Sequence, residues 1–143
     1  MKPSVLFVCT HNAARSQMAE AWLRHLAGGR YDAFSAGTAP AGVHPDAAAV
    51  MAEAGLDLSA HTSDHVDDVL AAHGPFDLVV TVCDNAREAC PFVPARRARL
   101  HQSFPDPGGY TPEARRESFR AVREAVRAFV EATFVQSDPF QTT

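Results

Sequence analysis

The sequence predicts an α/β fold in which helices cover both faces of a parallel sheet. Strand and helix signals alternate along most of the 143 residues, which is typical of a parallel sheet built from strand–helix–strand units. The run Phe76–Val82 is apolar or β-branched except at Asp77, as expected for a central strand that is buried on both faces. The length suits one domain, which we place at 1–135, and the polar residues 136–143 predict a loosely ordered tail.

The predicted elements of the first half follow from short apolar runs and from the glycines and prolines at their ends. Met18, Trp22 and Leu26 lie on one stripe of a helix that Gly28 ends, and Pro45 opens another helix. In chain order we predict a strand at Ser4–Val8, a helix at Ser16–Leu26, a strand at Tyr31–Ser35, a helix at Pro45–Ala54 and a shorter helix at Asp64–Ala72.

The second half predicts two more strands and a long helix. The central strand Phe76–Val82 follows a Gly-Pro turn, and a fourth strand is predicted at Arg97–His101. The last helix begins at Thr111, with Pro112 in its first turn. Its apolar face contains Phe119, Val122, Val126, Phe129 and Val130.

A loop with a cysteine at one end and an arginine at the other joins the first strand to the first helix. The backbone N–H groups of this loop should converge near the helix N-terminus, where partial positive charge favours an anion. Arg15 adds a planar fork that holds two oxygens, and the Ser16 hydroxyl together with this field favours the thiolate of Cys9. We therefore predict that Cys9 is a nucleophile, the alternative being a buried, inert cysteine. The predicted anion-binding residues are Thr10, His11, Asn12, Ala13, Ala14 and Arg15.

Two further cysteines follow the central strand. In open parallel sheets the ligand lies beyond the C-terminal strand ends, so Cys9 and Cys83 should share one crevice if their strands are neighbours. A helix between Cys83 and Cys90 would separate them by about 10 Å, beyond the roughly 7 Å limit for a disulfide, so oxidation should rearrange this segment. Two alternatives stay open: a buried strand end beside an incidental surface thiol, and zinc ligation, although Cys-x-x-Cys spacing is absent.

Asp106 is the candidate general acid. Transfer of a phosphoryl-like group to a thiolate expels an oxygen, which leaves more easily when a carboxylic acid protonates it. The loop 102–110 should approach the crevice from the end of the fourth strand, and Pro107 restricts the backbone of Asp106. An ordinary Asp-Pro-Gly turn is the alternative.

Composition excludes several classes of protein. The formal net charge of -4 argues against a nucleic-acid surface, and no apolar run approaches the roughly 20 residues of a membrane span. The first strand is too short for the apolar region of a signal peptide, so we expect a cytoplasmic protein. Three cysteines are an odd number, which does not suit a structural disulfide framework.

The combined motifs resemble those of the thioredoxin-coupled arsenate reductases. They are the run from Cys9 to Ala21, Ser35-Ala36-Gly37, His61-Thr62-Ser63-Asp64, Cys83 with Cys90, and Asp106-Pro107. That family resembles the low-molecular-weight protein tyrosine phosphatases in fold. The resemblance implies a three-layer α/β/α domain with a four-stranded parallel sheet in a flavodoxin-like topology.

The resemblance also implies a reaction. Cys9 attacks arsenate held by the loop, Asp106 protonates the departing oxygen, and Ser16 stabilises the Cys9 thiolate. Cys83 then attacks the thiol-bound arsenic adduct, which releases arsenite and leaves a Cys9–Cys83 disulfide. Cys90 resolves it to a Cys83–Cys90 disulfide that thioredoxin reduces. Phosphate and sulfate are the expected competing anions, and no cofactor is required.

Some members of that family hold a potassium ion near the loop. The matching positions are Asn12, Glu20, Ser35 and Asp64, for which simple polar support is the alternative. The sequence departs from the family at His11, often glycine, and at Ala13, where many members have serine.

Two other functions remain open. A tyrosine phosphatase would use Cys9, Arg15, Ser16 and Asp106 in the same manner and hydrolyse the thiol intermediate with water. It would leave the two other cysteines without a purpose. A non-enzymatic sensor of arsenic or oxidants would bind its ligand through the three thiols and change a partner surface.

Overall fold

A four-stranded parallel sheet forms the centre of the protein in a computed structural model, which describes residues 2–84, 91–109 and 111–140. The strands are β1 (Ser4–Cys9), β2 (Asp32–Gly37), β3 (Leu78–Thr81) and β4 (Ala98–His101). Their order in the sheet is β2-β1-β3-β4, so the strand that ends at Cys9 and the strand before Cys83 are neighbours. The predicted α/β fold and parallel sheet are confirmed.

Helices lie on both faces of this sheet, as predicted. The helices are α1 (Arg15–Ala27), α2 (Pro45–Glu53), α3 (Val66–His73) and α4 (Pro112–Val130), with a 3₁₀ turn at Pro107–Gly109 and a π-helical segment at Glu131–Val135. One apolar cluster joins one face of the sheet to α1, α2 and α4, and a second cluster joins the other face to α3.

The side chains of β1 alternate between the two clusters. Val5, Phe7 and Cys9 belong to the α1 and α4 side, whereas Leu6 and Val8 belong to the α3 side. All five are buried, because successive side chains of a strand point to opposite faces and both faces are covered. The prediction of a two-sided central strand therefore holds for β1 as well as for β3.

Most element boundaries differ from the prediction by one or two residues, and the central strand is shorter, Leu78–Thr81 instead of Phe76–Val82. Two of the differences have a local reason. The strand β2 extends to Gly37, where a Cβ atom would lie 2.5 Å from the carbonyl oxygen of Thr10, so only glycine fits against the loop. Helix α3 begins at Val66 and not at Asp64, because the His65 side chain accepts a hydrogen bond from the N–H of Asp67 and caps the helix there.

Aromatic contacts hold the chain that follows α4. Phe134 is fully buried and packs edge-on against Phe7 and Tyr31, with ring centroids 6.1 and 5.2 Å apart. Phe140 packs on the core, and the guanidinium of Arg97 lies 3.9 Å from its ring centroid. The domain limit at 135 and the loosely ordered tail stay predictions. Within the described ranges, no helix has the length and apolar character that crossing a membrane requires.

Candidate active site

The loop between β1 and α1 is held by the segment that follows β2. Its carbonyl oxygens accept hydrogen bonds from N–H groups of that segment: Thr10 from Ala39 (2.8 Å), His11 from Ala41 (3.0 Å) and Ala13 from His44 (2.9 Å). The carbonyl oxygen of Asn12 accepts from Nε2 of Gln17 at 3.0 Å. Because the C=O and N–H of one peptide plane point in opposite directions, these bonds turn the loop N–H groups toward its interior, as an anion site needs.

The start of α1 adds to this field. Ala14 is the N-cap and makes no side-chain capping bond, and no acidic residue lies in the first turn. The N–H groups of the first turn are therefore not satisfied by a cap. Together with the helix dipole they favour an anion in front of Arg15.

Asn12 holds the loop in place through its side chain. Its backbone is left-handed, with φ of 48°, a conformation that asparagine tolerates better than most residues. Its buried side chain donates from Nδ2 to Oγ of Ser16 at 2.7 Å and accepts at Oδ1 from the N–H of Asp64 at 3.0 Å. Asn12 therefore links the loop to the segment before α3.

Gln17 makes a second link to that segment. Its Nε2 donates to the carbonyl oxygens of Asn12 and Thr62, at 3.0 and 2.9 Å, and its Oε1 lies 2.8 Å from Nδ1 of His61. Since both amide hydrogens go to carbonyl oxygens, Oε1 is the acceptor and His61 donates from Nδ1. These contacts give a physical reason for the His61-Thr62-Ser63-Asp64 motif of the sequence.

Cys9 is a free thiol at the floor of the loop. It is buried, and its Sγ lies 2.9 Å from Oγ of Ser16. A thiolate has no proton to donate, and Ser16 already accepts from Asn12, so an ionised Cys9 receives the Ser16 hydroxyl proton in a hydrogen bond. The geometry therefore stabilises the reactive form of the thiol.

The structure brings the three predicted groups of the anion site to one cavity. Cys9, Arg15 and Asp106 all line a cavity of about 440 Å³. Arg15 is buried, and its Nη1 donates to the carbonyl oxygen of Phe104 at 3.2 Å, which fixes the guanidinium next to the loop of Asp106. Of the other predicted loop residues, His11, Ala13 and Ala14 also line it.

Asp106 opens a turn, which was the alternative that the sequence left open. Its Oδ1 accepts a hydrogen bond from the N–H of Gly108 at 3.0 Å, as its Asp-Pro-Gly sequence predicts. The side chain is exposed and lines the anion cavity together with Cys9 and Arg15. The role of general acid stays a prediction.

Cys83 lies two residues beyond the end of β3, the strand next to β1, whose last residue is Cys9. Val8 pairs with Thr81, and the N–H of Val82 donates to the carbonyl oxygen of Val8 at 2.9 Å, so both cysteines lie at the C-terminal edge of neighbouring strands. Cys83 is fully buried and disulfide-bonded. Cys90, and with it the predicted rearrangement of the segment 84–90, lies outside the described residues.

The four candidate potassium ligands already have other partners. Glu20 accepts from Oγ of Ser35 at 2.5 Å and pairs with Nη2 of Arg24 at 2.7 Å. Asn12 gives its Oδ1 to the N–H of Asp64. A cation here would share Glu20 with a guanidinium, which repels it. The potassium site stays a prediction, and no step of the proposed reaction uses it.

Sequence reasoning missed three further residues that line the cavity. They are Val43, His44 and Phe119, and the His44 ring contacts the tilted ring of Phe119 with centroids 4.7 Å apart. Phe119 was expected only as a core residue of the last helix. His44 stands just before the Pro45 helix start, so its capping role could be predicted, but its place in the cavity depends on the tertiary fold.

An ion-pair cluster links α2 and α4. Asp46 accepts hydrogen bonds from Nε of Arg115 at 2.8 Å and Nε of Arg116 at 3.0 Å, which ties α2 to α4. Burial opposes ionisation of Asp46, but the hydrogen bonds and positive charges of the two arginines outweigh it and lower the pKa of the carboxyl group. The cluster holds together α2, which His44 caps, and α4, which contains Phe119.

Known proteins share both the sequence and the fold. An arsenate reductase of Halalkalibacterium halodurans is 41% identical over 127 residues, which cover 87% of this chain and 90% of that protein. A solved arsenate reductase in its phosphate-binding state superposes with a TM-score of 0.78 at 32% identity, covering 96% of this chain and all of the other. A thioredoxin-dependent arsenate reductase of Corynebacterium glutamicum gives 0.66 at 30% identity, covering 95% of this chain and 64% of the other.

The family match spans the whole catalytic framework. Residues 4–136 match the low molecular weight phosphotyrosine protein phosphatases, a range that includes β1, the anion loop, the cysteines after β3 and the Asp106 turn. The chain therefore belongs to the low molecular weight phosphotyrosine protein phosphatase family.

Proposed function

We propose that the protein is an arsenate reductase that converts arsenate to arsenite through a relay of three cysteines and is regenerated by thioredoxin. The observation that carries the proposal is the state of its thiols. Cys9 is free and its thiol contacts Ser16 in an anion loop, while Cys83, two residues beyond the end of the neighbouring strand, is disulfide-bonded. The arsenate reductase relatives, which are 37–43% identical, support the substrate.

The first step forms a bond between sulfur and arsenic. Arsenate binds against the loop N–H groups and Arg15, which compensate its negative charge. The Cys9 thiolate attacks arsenic, and one arsenate oxygen leaves as water after it takes a proton from Asp106. Arsenic stays in the +5 state in this adduct.

The second step reduces arsenic. The Cys83 thiolate attacks the sulfur of the adduct and forms a Cys9–Cys83 disulfide. The electron pair of the sulfur–arsenic bond goes to arsenic, which leaves as arsenite in the +3 state. Both cysteines lie at the C-terminal edge of neighbouring parallel strands, which are about 4.8 Å apart, and this placement favours the step.

The last steps restore the nucleophile. Cys90 attacks Cys83 and releases the Cys9 thiolate, and the dithiol of thioredoxin then reduces the Cys83–Cys90 disulfide. A disulfide at Cys83 with a free Cys9 is the state that precedes this reduction. A relay fed by thioredoxin needs a reducing compartment, so we propose a cytoplasmic location. The reaction needs no bound cofactor in this scheme.

The test is a coupled assay with arsenate, thioredoxin, thioredoxin reductase and NADPH. We expect NADPH oxidation with the wild-type protein and loss of turnover in Cys9→Ser, Cys83→Ser and Cys90→Ser, each tested separately. Turnover that survives in the Cys83→Ser or Cys90→Ser variant would contradict the relay. Stoichiometric loss of thiols without turnover would instead indicate a sensor.

Phosphate-ester hydrolysis is the second candidate, and the family match favours it. Cys9, Arg15 and Asp106 line one cavity and would serve both reactions, because phosphate and arsenate share shape and charge. The Cys83→Ser variant separates the two. A phosphatase keeps its hydrolysis of p-nitrophenyl phosphate in that variant and shows no arsenate turnover, whereas a reductase loses its main activity.

A further inference from the structure

His44 is held in one orientation at the edge of the anion loop. It is the N-cap of α2, and its Nδ1 accepts a hydrogen bond from the N–H of Asp46 at 3.0 Å. Its own N–H donates to the carbonyl oxygen of Ala13 at 2.9 Å, which ties its backbone to the loop. Contact with the Phe119 ring, with centroids 4.7 Å apart, limits rotation of the imidazole further.

This orientation decides which ring nitrogen carries the proton. A nitrogen that accepts from a backbone N–H uses its lone pair, so in neutral His44 the proton is on Nε2. Among the described residues, none accepts a hydrogen bond from that Nε2. The ring lines the same cavity as Cys9, Arg15 and Asp106.

We infer that His44 is a substrate-binding residue that donates a hydrogen bond from Nε2 to the oxyanion held by the loop. The inference rests on the proposed function only for the identity of the anion. Arg15 and the loop N–H groups hold the face of the anion that meets Cys9. His44, which lines the same cavity, adds a donor whose position is fixed before the anion binds, so little entropy is lost on binding.

The chain contains a matched control for this residue. His65 caps α3 in the same way, with Nδ1 accepting from the N–H of Asp67 at 3.0 Å. The two side chains are similarly exposed, 31% for His44 and 39% for His65. Both histidines cap a helix through Nδ1, but His65 does not line the anion cavity. The pair therefore separates the effect of the cap from the effect of Nε2.

Two substitutions separate the cap from the donor. His44→Asn keeps an acceptor at the position of Nδ1, and asparagine is a good N-cap, but nothing replaces Nε2. His44→Gln places an amide N–H near Nε2 and caps the helix less well. The same two substitutions at His65 serve as controls.

The experiment measures the Kd of inorganic phosphate by calorimetry on the reduced full-length protein, and the melting temperature of each variant. We expect His44→Asn to raise the Kd about tenfold, the effect of losing one hydrogen bond to a charged group, with little change in melting temperature. His44→Gln should stay within about twofold of the wild-type Kd and melt lower. Both His65 variants should bind phosphate like the wild type.

A phosphate Kd for His44→Asn equal to the wild-type value would overturn the inference, as would an equal weakening in His65→Asn or no phosphate binding by the wild type. These outcomes do not depend on turnover. A protein that fails to reduce arsenate, yet loses phosphate affinity only in His44→Asn, refutes the proposed function and supports the role of His44. Normal arsenate turnover with an unchanged Kd refutes the role of His44 alone.

Discussion

Two cavities border the segment from Cys9 to Glu20 and differ in charge. The anion cavity of about 440 Å³ contains Arg15 and, as its one carboxylate among the described lining residues, Asp106. The second cavity, of about 530 Å³, contains an arginine at position 24 and three carboxylates, Glu20, Asp64 and Asp68. One stretch of chain therefore separates a space in which the formal charges of Arg15 and Asp106 balance from an acidic one.

The difference between the two cavities separates the loop groups that would contact the anion from those that hold the loop in place. Its N–H groups and the Cys9 thiol face the anion cavity, whereas Asn12 reaches the other side, where its Oδ1 binds the N–H of Asp64. Asn12 also donates to Ser16, so a contact on the acidic side positions the hydroxyl that meets the nucleophile. The acidic side therefore acts as the support of the loop.

The largest effect is expected from a pair of matched arginine substitutions on α1. Arg15→Lys should lower kcat/KM for arsenate by about 10²-fold, because an ammonium cannot bind two oxygens of the anion and keep the bond to the Phe104 carbonyl. Arg24→Lys keeps a cation beside Glu20 in the second cavity and should change kcat/KM by less than about twofold. Steady-state kinetics of both variants provide the measurement, and equal losses would contradict the division of the loop.

Removing the Ser16 hydroxyl should have a smaller effect on the same side. Ser16→Ala deletes the hydrogen bond to Cys9, so alkylation of the thiol by iodoacetamide at pH 7 should slow by about tenfold. The measurement uses the Cys83→Ser, Cys90→Ser background, in which only Cys9 reacts. Thr62→Ala, which removes a hydroxyl on the acidic side, is the control and should leave the alkylation rate unchanged.

The sequence predicts the residues that line the anion cavity better than the contacts that hold those residues in place. Cys9, Arg15 and Asp106 could be found because each chemical role needs one residue type next to a strand end, and the sheet order then brings them to one cavity. The bond from Arg15 to a carbonyl oxygen of residue 104 left no signal, because every residue has a carbonyl group. Side chains alone do not reveal backbone partners.

The elements of the fold were predictable for a related reason. Apolar spacing and terminators located all four strands and the four helices named above, since burial of a face imposes a period on the sequence. The predicted ends of strands and helices are wrong where tertiary contacts determine them. Gly37 extends β2 because the loop packs against it, and His65 delays the start of α3 by its cap. The potassium site stays a prediction, and sequence spacing does not show that Arg24 reaches Glu20.

A modest pH effect is expected at the helix pair beside the anion cavity. The hydrogen bond from Arg120 to Glu53 on α2, joined by a second from Arg123, lowers the pKa of this carboxyl group to about 2. Because the pKa of Glu53 is lower in the folded state, its ionised carboxyl group stabilises the folded protein at pH values above about 4.5, the pKa in the unfolded chain. This contribution is lost as the pH falls toward 2. Thermal melts should show Glu53→Gln less stable than the wild type at pH 6, with the difference shrinking below about pH 4.5. A difference independent of pH would contradict the ion pair.

The smallest effect concerns potassium and the acidic cavity. Glu20 already binds a cation, since Nη2 of Arg24 lies 2.7 Å from its carboxylate and 2.8 Å from the carbonyl oxygen of Ala33. Melting temperatures of the wild type in KCl and NaCl at equal ionic strength should therefore coincide. Arg24→Ala leaves Glu20 without its cation and should cost about 0.5 kcal/mol, since the pair is partly exposed. A higher melting temperature of the wild type in KCl alone would indicate that potassium competes with the guanidinium, so the acidic cavity would then be an ion site and not only a support for the loop.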